Sequence, residues 1–79
     1  MRLPRDLSGE LLARALCQHW RYVLSHQSGS HIILDTDTPS KQRIAIPAHK
    51  SLRVGTLNAI LRRVADHKGV ARDAILKTL

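Results

Sequence analysis

The sequence predicts an α+β fold of the order α-β-β-β-α, followed by a short C-terminal helix. Apolar residues recur with a helical period over residues 8–20, β-prone runs separated by turn residues follow over 22–47, and the helical period returns from about Gly55. Three strands joined by short turns form an antiparallel sheet. Because the apolar faces of the helices must be buried, we expect the helices on one face of this sheet and solvent on the other.

The first helix is predicted over residues 8–20. Ser8 is a good N-cap residue, and Glu10 lies in the first turn, where the helix dipole favours an acidic side chain. Apolar side chains then recur at intervals of four residues. The residues predicted to form or flank the buried face are Leu11, Leu12, Ala15, Leu16 and Trp20.

The strands are predicted over residues 22–26, 31–36 and 42–47, with turns over 27–30 and around Pro39. Each strand is short, and each turn contains Gly, Pro or Ser. The three strands therefore read as a meander in which neighbours along the chain are neighbours in the sheet.

The face on which His31 lies depends on the register of the second strand, because side chains alternate along a strand. If Ile32 and Leu34 point to the helices, His31 lies on the open face; in the opposite register it is buried. The sequence leaves both arrangements open. Arg43 alternates with the apolar Ile44, so it would share the open face with an exposed His31.

The second helix follows a loop over residues 48–55. Its outer side carries Arg62 and Arg63, which we expect to be solvated, and Gly69 marks its end because glycine readily adopts the left-handed conformation of a C-terminal cap. A last short helix is predicted within 70–79. The residues predicted to form the buried face of the second helix are Leu57, Ile60, Leu61 and Val64.

The composition indicates a polyanionic partner. The 13 lysines and arginines exceed the 6 acidic residues and give a net charge of +7, which favours nucleic acid before a membrane surface. The alternative is a basic surface that only keeps the protein soluble. Trp20 and Tyr22 are the only aromatic residues, so we expect contacts with phosphates and recognition of shape rather than stacking of bases.

Length and residue usage exclude several classes of protein. The 79 residues suffice for one domain, which we place at residues 1–79. Cys17 is the only cysteine, and the 5 histidines lack the i, i+4 spacing of a zinc helix, so no metal and no cofactor is expected. With no visible signal peptide and no apolar run of about 18 residues, we expect a cytoplasmic protein without membrane contact.

One reaction needs little more than a histidine and nearby cations, and that reaction is RNA cleavage. The nucleophile is the 2′-hydroxyl of the RNA itself, and an imidazole accepts that proton or donates one to the leaving 5′-oxygen near neutral pH. Arginine and lysine stabilise the charge that grows on the phosphoryl oxygens. The alternative interpretation of His31 is an ordinary polar residue at the end of a strand.

Four segments together resemble one protein family, the HicA (YcfA-like) toxins of bacterial type II toxin–antitoxin modules. The resemblance implies a fold like that of double-stranded-RNA-binding domains, and cleavage of mRNA until a HicB antitoxin sequesters the toxin. It also implies that the histidine of the Gly-Ser-His motif, here His31, is catalytic. The segments are "LPRDLSGELLARAL" at 3–16, "GSH" at 29–31, "IPAH" at 46–49 and "LRVGTLNAILRRVA" at 52–65.

Several further residues are candidates for the same site. His49 is either a second proton-transfer group or a loop residue bonded to the backbone. We expect the chain to associate only through the antitoxin complex. A non-catalytic RNA-binding or partner-binding module on the same fold is the alternative function. The residues predicted to bind RNA are Ser30, Arg43, Lys50 and Arg53.

Overall fold

The computed structural model describes residues 3–79 and has the predicted order of elements. The three strands form one antiparallel sheet in the order β1-β2-β3. The α+β fold with an α-β-β-β-α arrangement and an added C-terminal helix is therefore confirmed. The elements are α1 (Gly9–His19), β1 (Val23–Ser28), β2 (His31–Thr36), β3 (Gln42–Pro47), α2 (Val54–Lys68) and α3 (Arg72–Leu76).

The hydrophobic core lies between one face of the sheet and the helices. Ile32 and Leu34 of β2 are buried in it, whereas His31 is exposed. The register that places His31 on the open face is therefore the one adopted. The largest side chains that are fully buried are Leu12, Leu16, Tyr22, Leu34, Ile46, Leu57, Leu61, Val64 and Ile75.

Helix α1 begins as its sequence predicts. The hydroxyl of Ser8 accepts a hydrogen bond from the main-chain N–H of Leu11 at 3.0 Å, which satisfies one of the free donors of the first turn. The side chain of Leu11, however, is 51% exposed, so its placement beside the buried face was wrong. Ala15, four residues on and on the same side of the helix, is buried, so the core covers this side of α1 only beyond Leu11.

Strand β1 is the element whose limits differ most from the prediction. It continues to Ser28, so the turn shrinks to Gly29 and Ser30, and Gly29 has the positive φ of +59° that the reversal of the chain requires. Tyr22 precedes the strand and is buried in the core. Burial raises the pKa of its hydroxyl to about 12, and that hydroxyl donates to the side-chain carbonyl of Gln42.

Helix α2 extends over Val54–Lys68 and is capped by Gly69, whose φ of +70° is the left-handed conformation that the sequence predicts. Arg62 and Arg63 are exposed on its outer side, also as predicted. None of the helices in residues 3–79 is both long enough and apolar enough to cross a bilayer.

At Gly9, the backbone of the first turn of α1 lies directly against the backbone at the end of β3. A side chain on Gly9 would overlap the carbonyl oxygen of Pro47, so glycine is the one residue that permits this approach. The main-chain N–H of Gly9 donates to the carbonyl of His49 at 3.0 Å. This contact fixes the position of the helix relative to the sheet.

Replacing Gly9 with alanine should therefore destabilise the protein. Overpacking of this kind lowers the free energy of unfolding by about 1–3 kcal/mol or more, measurable by urea denaturation. The matched control is Gly55→Ala in the first turn of α2, where an added Cβ meets no atom within 4 Å. That change should raise the stability by about 0.4–1 kcal/mol; an equal response of both variants would contradict the close approach at Gly9.

Candidate functional site

Segments that are far apart in the sequence meet at one end of the sheet. The main-chain N–H of Ala48 donates to the carbonyl of Ser30 at 2.7 Å, which joins the segment after β3 to the turn before β2. The bond from Gly9 to His49 adds the start of α1 to the same place. We name this region the motif end; it comprises residues 7–9, 29–31, 47–49 and 52.

The loop from β3 to α2 is anchored at the motif end. The main-chain N–H of Leu52 donates to the carbonyl of Leu7 at 2.8 Å, and the Leu52 side chain is buried. On either side of this anchor, Lys50 and Arg53 are exposed. The loop therefore presents two cations next to a fixed point of the backbone.

His31 lies at the motif end as the first residue of β2. It pairs with Ser28 on β1 and with Pro47 on β3, so its side chain stands between two neighbours on the open face. The structure places Ser30 and His49, both exposed, in the adjoining segments. Three of the predicted site residues thus come together here.

Arg43 lies on the open face with His31 but near the opposite end of the sheet. It pairs with Asp35, which is four residues from His31 along β2, a separation of about 13 Å at the rise of an extended strand. Its guanidinium makes two bonds to the carboxylate of Asp35, from Nε at 2.7 Å and from Nη2 at 3.0 Å. Its charge is therefore paired with a carboxylate, whereas no ion pair within residues 3–79 involves Lys50 or Arg53.

The ion pair affects the titration of both partners. The hydrogen bond from Arg43 is the main cause that holds the pKa of Asp35 below its ordinary value. The same contact raises the pKa of Arg43. Both side chains reach solvent, so the pair contributes little to stability, and its main effect is to fix the two groups relative to each other.

His26 also lies on the open face, a position that the sequence does not predict. The pairing of β1 with β2 is irregular between Leu24 and His26, and beyond this bulge His26 pairs with Ile33. Paired residues share a face, and Ile33 is on the face of His31. Regular alternation from Leu24, which pairs with the buried Leu34, would have put His26 on the inner face, and no residue in the strand signals the bulge.

Away from the motif end, the described residues form no metal-ligand cluster, and the cleft beside Asp35 and Arg43 carries charges of both signs. In residues 3–79, no three histidine, cysteine or acidic side chains come together as a metal site would require. A cleft of about 570 Å³ lies at the far end of the sheet from His31, and its charged lining has both signs. The charged residues of this lining are Arg21, Asp35, Asp37, Lys41 and Arg43.

The comparison with protein families gave one match. The model of the family described as "HicA toxin of bacterial toxin-antitoxin" matches residues 12–65, a stretch that includes all three strands and most of α1 and α2. The comparison with curated proteins gave no match, and neither did the comparison with solved structures.

The Asp35–Arg43 pair yields a direct titration test. In the native protein, the Asp35 carboxyl should titrate below its ordinary value of 3.8, and Arg43→Ala should move the midpoint upwards because the donor is lost. The ion pair stabilises the folded protein at pH values above the pKa that Asp35 has in the unfolded chain. This stabilisation is lost as the pH falls through the pKa of Asp35 in the folded protein. The chemical shift of the Asp35 carboxyl carbon, followed by NMR against pH, gives the midpoint, and Arg62→Ala is the control. An unchanged midpoint in Arg43→Ala would contradict the ion pair between Arg43 and Asp35.

Proposed function

Because the chain belongs to the HicA toxin family, we propose that it is a metal-independent endoribonuclease that cleaves mRNA with His31 as its acid–base group. The observation that carries the proposal is the exposure of His31 on the open sheet face at the motif end. A proton-transfer group must reach the substrate directly or through one water. A ring on an open face meets that requirement for a polymer as large as RNA.

The cleavage step uses groups that the RNA and this chain supply. The 2′-oxygen gives up its proton and attacks the neighbouring phosphorus, and the bond from phosphorus to the 5′-oxygen breaks. The products are a 2′,3′-cyclic phosphate and a 5′-hydroxyl. An imidazole promotes this reaction by accepting the proton of the 2′-hydroxyl or by donating a proton to the leaving 5′-oxygen. Neither step requires a metal ion.

The cations of the adjoining loop bind the phosphates of the RNA. Lys50 and Arg53 flank the anchored Leu52, so RNA bound at His31 places its backbone against them. Their charges hold the phosphate and oppose the negative charge that grows on its oxygens. Ser30, next to His31, is a further contact, and Arg43 meets RNA that extends along the sheet.

A HicB-type antitoxin covers the same face in this proposal. An inhibitor must occlude the surface that binds RNA, and the chain carries a net charge of +7. Complementary charge favours an antitoxin with an acidic patch. The chain forms oligomers only as part of the complex with this antitoxin.

The activity test compares three proteins on one RNA in the presence of EDTA. Wild type should cleave it, and His31→Ala should be slower by about 10²-fold or more, the usual size of an acid–base contribution. The matched control is His19→Ala, because His19 is exposed in the last turn of α1. Equal cleavage by wild type and His31→Ala would refute the role of His31, and RNA binding without cleavage by wild type would favour the non-catalytic module.

The RNA contacts are tested by the salt dependence of binding. In a His31→Ala background, Lys50→Ala and Arg53→Ala should each weaken binding and lower the slope of log K against log salt by about 0.7–0.9, the value for one phosphate contact. Arg62→Ala removes an exposed cation on the outer side of α2 and is the control. Fluorescence anisotropy of labelled RNA gives the slopes; identical slopes for all variants would exclude the loop as the phosphate-binding element.

A further inference from the structure

The β-bulge brings a second histidine to the open face beside His31. His26 pairs with Ile33, and His31 pairs with Ser28, so the two histidines are diagonal neighbours on adjacent strands, about 7–8 Å apart at the backbone. Both are exposed. Bulges are common on edge strands, such as β1, and next to active sites, and they redirect side chains; this one redirects an imidazole.

A hydrogen bond holds the His26 ring in place. Its Nδ1 lies 2.9 Å from the hydroxyl of Ser25. That hydroxyl also accepts from Nη2 of Arg43 at 3.5 Å and helps to lower the pKa of Asp35. With Nδ1 engaged, Nε2 is the nitrogen left for proton exchange with a substrate.

The surroundings of the two rings differ. His26 is linked through Ser25 to the carboxylate of Asp35, whereas the cross-strand neighbours of His31 on the open face are Ser28 and Pro47. The ring of His31 lies at the motif end, beside the loop that carries Lys50 and Arg53, whereas Ser25 holds the ring of His26 on the Asp35 side of the open face.

We propose that His26 is a second catalytic residue, which protonates the leaving 5′-oxygen while His31 accepts the proton of the 2′-hydroxyl. The inference rests on the proposed ribonuclease activity. In the balanced step, His31 gains one proton, the bond to the 2′-oxygen forms, the bond to the 5′-oxygen breaks, and His26 loses one proton. Exchange with water then restores both rings.

The spacing suits a phosphate between the two rings. Each ring nitrogen needs to lie within about 2.6–3.2 Å of the oxygen that it serves, and these two oxygens lie on opposite sides of the phosphorus. Two side chains that project from the same face at a diagonal separation leave a gap for the phosphate between them. A pair that was directly opposed across the strands would leave less room.

The test replaces the leaving group. A cleavage site is first mapped with wild type on a short RNA, and the same RNA is then made with sulfur in place of the bridging 5′-oxygen at that site. A thiolate leaves without being protonated, so this substrate no longer needs a proton donor. Cleavage of both substrates is compared for wild type, His26→Ala, His26→Asn, His31→Ala and the control His19→Ala.

The expected result is a selective rescue. On the oxygen substrate, His26→Ala and His26→Asn should be slower than wild type by about 10²-fold or more, and on the sulfur substrate both should approach the wild-type rate. The asparagine variant keeps a donor for Ser25, so its failure on the oxygen substrate separates proton transfer from a structural role. His31→Ala should be slow on both substrates, and His19→Ala should match wild type on both.

Other outcomes overturn the inference in distinguishable ways. Wild-type rates for His26→Ala on the oxygen substrate, or an equal loss on both substrates, would exclude His26 as the donor while leaving the proposed ribonuclease intact. Rescue of His31→Ala instead of His26→Ala would overturn the assignment of roles. Cleavage of neither substrate by folded wild type, checked by circular dichroism, would overturn the proposed function and this inference with it.

Discussion

The close approach of α1 to the end of β3 is the contact on which the candidate site depends. Because Gly9 has no side chain, its backbone reaches Pro47 and bonds to the carbonyl of His49. The same segment bonds through Ala48 to Ser30, so the helix start, the strand end and the turn before β2 are held as one unit. A bulkier residue at position 9 would push the start of α1 away from the end of β3. These two elements are far apart in the sequence, so only this tertiary contact holds them together.

One-sided burial then determines which groups the substrate can meet. The helices cover the inner face of the sheet. Because side chains alternate along β2, the burial of Ile32 on that face places His31 on the open face. The bulge in β1 breaks this rule once and adds His26 to the outer face. A small sheet thus presents two imidazoles, although regular alternation in both strands would have presented one.

The sequence predicts what local chemistry controls and misses what tertiary contacts control. The limits of β2 and β3, the cap at Ser8 and the left-handed Gly69 follow from periodicity and backbone preference, and they are observed. The exposure of Leu11 depends on where the core ends, which the helix itself does not encode. The bulge before His26 depends on the pairing with β2, so the site could be predicted only in part.

An open sheet face also limits the chemistry that the proposed function can use. Such a surface has no walls to exclude water, and charges exposed to water interact weakly, so electrostatic stabilisation alone gives little. Proton transfer by positioned imidazoles does not need a dry cavity, which is why His26 and His31 matter more to the proposal than the net charge does. The same openness bears on the proposed antitoxin: under the proposed function, a protein that covers this face would block its access to RNA.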